Sequence, residues 1–267
     1  ILVDGKRFYL CQTGEKGGAR MRLTGRAAPG HASMPLSDTA MRRAGRAVAR
    51  LTDHTFPTIM TATVERMLLA MGASLGGATE KQIQRILANP SWEALSELPI
   101  GESELRALYA TTRNTAVPTI IHGGHRINVI PSEVTVDVDG RVLPGQDPAA
   151  FVAQVRELIG DDVDVEMINQ GSTGIEADPQ SALFETISST IAELDPGATV
   201  VPFLVAGGTD AKSIPGVKVY GFMPTRDHPE EMNYAHSHDE RVSISNLEFG
   251  TQALFEIVTR YCHARES

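Results

Sequence analysis

The sequence predicts an α/β protein interrupted by a ferredoxin-like α+β domain. Three observations predict it. Residues 20–169 run strand, helix, helical block, strand, strand, helix, strand, the β-α-β-β-α-β order of a ferredoxin-like sandwich with one insertion. From about residue 178 the pattern changes to helices alternating with short apolar runs, as expected of strands buried on both faces. Residues 1–17 read as two strands around a D-G turn and belong by the same logic with the C-terminal α/β part.

Each element has a local reason. Segment 20–27 alternates Met21, Leu23 and Gly25 against Arg20, Arg22, Thr24 and Arg26, the period of a half-buried strand. In 38–53, Met41, Ala44, Val48 and Leu51 recur at helical spacing, while Arg43, Arg46 and Arg50 fall on another face. Such a basic face reads as a solvated one. Residues 57–114 form a helical block broken at Gly76-Gly77 and Asn89-Pro90. Two strands follow, "AVPTIIHGG" and "EVTVDVDGRV", the second alternating Val134, Val136 and Val138 with polar residues. Asp147 as N-cap, Pro148 in the first helical position and Gly160 as the stop frame a helix whose stripe is Phe151, Val155 and Leu158. "VDVEMIN" closes the inserted unit as a strand.

In the last third, Phe184, Ile187, Ile191 and Leu194 mark a helix. "ATVVPFLV" and "VKVYGF" read as buried strands, and 243–262 as a final helix with Ser245 and Glu248 in capping-box spacing.

The 267 residues suit two domains, and an apolar fraction of 42% can supply their cores. A net charge of −9 disfavours a general nucleic-acid surface, which needs a basic stripe. No run of eighteen apolar residues exists, so no membrane span is expected. The two cysteines, Cys11 and Cys262, make no disulfide framework and are expected to be free thiols. The first methionine is Met21, and "ILVDGKRFYL" is neither a start nor a signal peptide, so the chain is expected to be the later part of a longer protein.

Four stretches could carry chemistry. "APGHASMP" sets His31 among small residues that allow close approach, although an exposed histidine in a helix-approach loop would look the same. "INVIPSEVTVDVDGRVLPG" places Asn128 before a strand and Arg141 at its end, where a guanidinium can grip a carboxylate or can simply be a surface residue. "VAGGTDAKSIPG" runs an apolar strand into Gly207-Gly208-Thr209-Asp210, an anion cradle or an ordinary turn. "YAHSHDERVSI" sets His236 and His238 two apart, on one face if extended, with Asp239 and Glu240 following. A serine hydrolase built on Ser33 with His31 is disfavoured, since no G-x-S-x-G elbow is present.

Taken in order, these segments resemble the co-catalytic zinc metallohydrolases that include glutamate carboxypeptidase, aminoacylase, acetylornithine deacetylase and succinyl-diaminopimelate desuccinylase. The matching residues are Glu15-Lys16-Gly17; Gly30-His31-Ala32-Ser33 with Pro35; Asn128, Pro131, Arg141 and Pro144; Gly207-Gly208-Thr209-Asp210; and His236 four residues before Glu240. The resemblance covers nearly the whole chain, least well at 57–114.

It implies a partial zinc-peptidase-like catalytic domain, residues 1–18 and 173–267, with an inserted ferredoxin-like lid/dimerisation domain at 19–172 that carries the helical insertion. By the resemblance, His236 is a metal ligand and His238 a bystander. His31 is the catalytic histidine that reaches into a partner subunit's site and stabilises the oxyanion. Asn128 and Arg141 hold the substrate, Arg141 by its carboxylate, and Gly208 and Thr209 line the pocket. The implied cofactor is a pair of zinc ions, with cobalt or manganese as alternatives. The implied reaction is hydrolysis of an amide bond in a small peptide or N-acyl amino acid, in a cytoplasmic homodimer. The family's other ligands and its glutamate base fall before the segment that "ILVDGKRFYL" resembles. The chain alone is therefore expected to be inactive, and the rival expectation is a non-catalytic dimerisation or binding fragment.

Overall fold

The computed structural model describes residues 1–214, 216–228, 231, 234 and 237–263. The chain opens as a hairpin. Strand β1 (Leu2–Val3) turns through Asp4 and Gly5, both at positive φ, into the ten-residue β2 (Lys6–Glu15). Positive φ at both central residues is the type I′ geometry that D-G favours. Strand β2 organises the first sheet. Besides β1 it pairs antiparallel with β10 (Ile175–Glu176) and β12 (Gly221–Phe222), and parallel with β11 (Thr199–Val205).

Alternation along β2 divides the core around this sheet. Tyr9 and Cys11 face helices α7 (Ala182–Leu194) and α8 (Ile244–His263), packing with Ile187, Ile191, Phe249 and Ala253. Phe8 faces the other way, towards α2 (Ala62–Leu75), α3 (Gly77–Ala88), α4 (Trp92–Ser96) and α5 (Glu102–Thr111), within a cluster that includes Met67, Leu68, Ile83 and Leu108. The helical block, contiguous in sequence with the ferredoxin-like strands, thus packs on the first sheet.

Glycines carry the chain from one sheet to the other. Gly17 and Gly18 form β3, which pairs with β8 (Glu133–Val142). In the second sheet β8 lies between β6 (Thr115–Gly123) and β4 (Met21–Arg26), and β9 (Asp164–Met167) flanks β4, all antiparallel. The order β6-β8-β4-β9 is that of a ferredoxin-like sheet. Helices α1 (Ala40–Asp53) and α6 (Pro148–Ile159) cover one face of it, burying Met21, Leu23, Val134, Val136 and Val138 as their period-two spacing predicts. Asp147 caps α6 by accepting from Ala149 and Ala150 N–H, and Gly160 stops it at φ +75°.

Three local expectations are corrected. The buried seam of α1 is Ala40, Ala44, Ala47 and Leu51, and Met41 is exposed, because small residues let the helix approach β4 at Gly25. "VKVYGF" is not a buried strand; only Gly221–Phe222 pairs, and Val217 is exposed. The cap of α8 is Ser243, whose Oγ accepts from Asn246 N–H, rather than Ser245. Buried Asn246 also accepts Arg226 and Asp227 N–H at Oδ1 and donates to Glu231 Oε2. That choice of cap anchors the loop that enters the histidine stretch. The Asn246 hydrogen bond, and Ser243 beside it, hold the Glu231 carboxyl below its usual range.

Both cysteines are free, Cys11 buried and Cys262 exposed. Burial pushes the Cys11 thiol up to about 12, leaving it inert. No helix among the described residues is long and apolar enough to cross a membrane.

Candidate functional site at the junction of the two sheets

Strand β2 ends on Glu15, which is fully buried. A buried carboxylate needs partners, and the loop after β11 supplies them. Thr209 donates its backbone N–H (2.7 Å) and its hydroxyl (2.5 Å) to Glu15 Oε2. Gln12 Nε2 donates to the same oxygen at 3.2 Å, and Lys212 Nζ lies 3.3 Å from Oε1. Glu15 thereby latches the Gly-Gly-Thr-Asp loop to the end of β2. Thr209 Oγ also accepts from Ala211 N–H, capping the short 3₁₀ turn Asp210–Ser213.

Next along the chain, Lys16 is also fully buried. Its Nζ donates to the carbonyls of Ala110 and Arg113 and to Thr115 Oγ, at 2.9–3.0 Å. These groups lie at the C-terminal end of α5, where carbonyls lack helical partners. Burial first, and the nearby Arg141 guanidinium second, push Lys16 down to about 7. Arg113 is buried just beyond, its guanidinium 3.8 Å from the centre of the Tyr109 ring and 5.0 Å from that of Trp92. Glu15 and Lys16 thus fasten two loops to one point of the fold.

Arg141 completes this junction from the second sheet. Its Nε and Nη2 grip Asp139 at 2.9 and 3.1 Å, which leaves Nη1 uncommitted among the described residues. A Cβ on Gly208 would lie 3.8 Å from Nη1 and 2.7 Å from Lys212 Nζ. The bare Cα of Gly208 therefore leaves room beside it for the Lys212 ammonium, itself paired with Glu15, with Arg141 Nη1 close by. Two cations so placed suit an anionic group such as a carboxylate. Of the residues singled out in the sequence, the structure brings Arg141, Gly208 and Thr209 together here. Glu15 stands in the Glu15-Lys16-Gly17 motif, which by itself implies no role for it, and Lys212 belongs to none of the matching residues. Nothing in local sequence tells that Lys212 folds back on Glu15.

His31 and Asn128 form a second group. Strand β5 (Gly30–His31) pairs with β7 (Val129–Ile130), and Asn128 O accepts from Ala32 N–H at 3.0 Å. The exposed imidazole accepts Ser33 N–H at Nδ1 (3.2 Å), with Ser33 Oγ 2.7 Å from the same nitrogen. A neutral ring accepting there carries its proton on Nε2, so the ring presents a donor. The two groups stand at opposite ends of β8. From Glu133, near the β5–β7 pair, to Arg141 is eight residues of one strand, about 26 Å at ~3.3 Å per residue. His31 and Arg141 both belong to the segment that carries the second sheet, whereas Gly208, Thr209 and Lys212 follow β11 of the first sheet.

His236 lies outside the described residues. His238 is exposed, and Asp239 pairs with Arg241 at 2.8 Å. Among the described residues no three His, Cys, Asp or Glu side chains are placed to hold a metal.

The fold and this junction define a class. The profile of the peptidase dimerisation domain matches residues 13–166, and the chain belongs to the M20 metallopeptidase family that carries this domain. Among curated relatives, it is 26% identical over 258 residues to N-fatty-acyl-amino acid synthase/hydrolase PM20D1 of Xenopus tropicalis, covering 93% of this chain and 49% of that protein. It is 27% identical over 238 residues to the probable carboxypeptidase S-like 2 of Dictyostelium discoideum, covering 87% and 44%. The chain thus spans about half the length of these relatives. Among solved structures, the dipeptidase Dug1p of Saccharomyces cerevisiae superimposes with a TM-score of 0.64 at 16% identity, over 97% of this chain and 57% of that one. Human carnosine dipeptidase 1 gives 0.64 at 13% identity, over 96% and 57%. Both share the fold.

Proposed function

We propose that the protein takes part in metal-dependent hydrolysis of an amide bond in a small peptide or N-acyl amino acid with a free carboxylate. The observation that carries this reading is the junction: Arg141 Nη1 and Lys212 face the space beside Gly208, on a loop that Glu15 holds in place. The names of the relatives, N-fatty-acyl-amino acid synthase/hydrolase and probable carboxypeptidase S-like 2, support the substrate class. In this reading residues 1–18 and 173–267 belong to the catalytic domain and 19–172 to the lid, whose helical insertion folds back onto the first sheet. Arg141 grips the carboxylate, Gly208 and Thr209 line the pocket, and His31, with Asn128 beside it, presents Nε2–H to the oxyanion. The distance along β8 supports assigning His31 to the site of a second copy. The outer edge of β6, unpaired among the described residues and with Val117 and Ile121 more than half exposed, suits pairing between copies in a homodimer. Free thiols fit a cytoplasmic location.

Arg141→Met is expected to raise KM for an N-acyl amino acid about 10–100-fold, the worth of a charge-assisted hydrogen bond of ~1.5–3 kcal/mol. The corresponding substrate amide, which lacks the carboxylate, should be nearly indifferent. Unchanged KM for the acid would remove Arg141 from substrate binding.

The metal proposed is zinc, with cobalt or manganese as alternatives and His236 as one ligand. The described residues do not by themselves make its donor set. A single ligand binds poorly, because affinity comes from several preorganised donors. The 267-residue chain is accordingly expected to be inactive alone and to retain well under one equivalent of zinc after dialysis. Stoichiometric, tight zinc by elemental analysis would place a complete site within it. The open β6 edge also favours a second reading, a dimerising module without catalysis of its own. Amide hydrolysis by this chain would exclude that reading.

A further inference from the structure

Strand β8 carries Asp139 and Arg141 two residues apart, so both side chains project from the face of the second sheet that α1 and α6 leave uncovered. Gly140 between them faces the covered side, where a Cβ would lie 2.1 Å from Ala19 O. Its carbonyl accepts Ala19 N–H at 2.8 Å, which pins the backbone that carries the pair to the link between β3 and β4.

A guanidinium can hold a carboxylate along its side edge, Nε–Nη2, or along its end edge, Nη1–Nη2. Asp139 takes the side edge of Arg141, at 2.9 and 3.1 Å. The end edge is left, and its Nη1 lies 3.8 Å from the point that a Gly208 Cβ would occupy. Charge alone would not keep the guanidinium there. Lys212 and the protonated form of Lys16 repel it, and Glu15 is already paired with Lys212. Asp139 supplies the opposing attraction, with Arg20 Nε a more distant partner at 4.0 Å.

We propose that Asp139 is a positioning residue: it occupies the side edge of Arg141 and so turns the end edge of the guanidinium towards the carboxylate of the substrate. This role rests on the hydrolase reading above, in which Arg141 grips that carboxylate. One arginine thereby serves two carboxylates, one of the protein and one of the ligand. A lysine could not, because a single ammonium has no second edge. A merely structural Asp139 would behave differently. A part-exposed ion pair contributes little to stability, and its loss would not distinguish a substrate acid from its amide.

The test uses the full-length protein with N-acetyl-leucyl-glycine and its C-terminal amide. Asp139→Asn keeps the size of the side chain but removes its charge, and it should raise KM for the acid about tenfold. Its kcat should move little, and KM for the amide should stay within about twofold of the parent value. Asp139→Glu, which restores the charge, should recover part of the loss. Arg141→Lys should lose as much as Arg141→Met. In an Arg141→Met background, Asp139→Asn should add nothing, since the group it positions is gone. Thermal melting checks that each variant folds.

An unchanged KM for the acid in folded Asp139→Asn overturns the proposal. So does an equal rise for acid and amide, or a further loss on top of Arg141→Met. If Arg141→Met raises KM for the acid and Asp139→Asn does not, the positioning role falls and the substrate reading of Arg141 stands. If Arg141→Met itself changes nothing, that reading falls and the positioning role with it. If neither compound is hydrolysed, calorimetric titration gives Kd in place of KM. The same pattern in Kd would then uphold the positioning role while the hydrolase reading falls.

Discussion

His31→Ala in the full-length protein is expected to lower kcat for an N-acyl amino acid about 10²–10³-fold while changing KM little. That is the usual cost of one oxyanion donor, an interaction made mainly in the transition state. The structure gives the reason to place the donor at Nε2, since Ser33 N–H occupies Nδ1. It also supplies a second arm. Because His31 belongs to the β5–β7 pair near the Glu133 end of β8 and Arg141 stands at the other end, about 26 Å along that strand at ~3.3 Å per residue, each site should take its histidine from another copy. Mixing His31→Ala with Arg141→Met protein, assayed at substrate well below the KM of the Arg141→Met variant so that both are impaired, should then raise activity above the sum of the two, since a mixed dimer holds one site with both residues intact. Near-normal turnover by His31→Ala would remove the histidine from the mechanism. Two impaired variants with no gain beyond their sum on mixing would argue against a shared site.

Gly17→Ala should cost about 3 kcal/mol, at the upper end for overpacking, and lower the melting temperature by roughly 6–12 °C. A Cβ there would lie 2.0 Å from Ser172 O and 2.6 Å from both Gly174 N and Thr173 C. All three are backbone atoms and cannot rotate aside. The neighbouring bridge, in which Gly18 and Ser172 exchange N–H···O bonds at 2.9 Å, would have to open. Because Gly17 follows the buried Glu15 and Lys16 directly, the shift should also slacken the Thr209 loop and raise KM. Gly45→Ala is the control. Gly45 is exposed within α1 with nothing within 4 Å of the added carbon, so this change should be neutral or add up to about 1 kcal/mol. Equal melting temperatures for the two variants would refute the steric account.

The sequence was legible wherever structure is local. The D-G hairpin, the valine alternation of β8, the Asp147 and Gly160 bounds of α6 and the breaks at Gly76 and Asn89 are decided within a few residues. It misled where two local signals compete. Ser243 and Ser245 can both start α8, and the choice goes to Ser243, whose N–H also finds the Glu231 carboxylate. In "VKVYGF" an apolar composition resembled a strand, but strand pairing depends on a neighbour that composition does not specify.

By itself the sequence determined the ferredoxin-like unit, its place within an α/β chain, and the segments worth inspecting for chemistry. Tertiary structure decided how those segments are grouped. Arg141 meets Gly208 and Lys212, Glu15 meets Thr209 across 194 positions, and His31 is held with Asn128 in a separate two-stranded sheet near the other end of β8. Only tertiary structure set the helical block on the first sheet. The physical reason is common to all of these. Periodicity and capping state which face of an element is apolar and where it ends, at a range of about four residues. They carry no information about which distant surface that face will cover, or which buried carboxylate a lysine will reach. Those are settled by packing and by the need to pair every buried polar group.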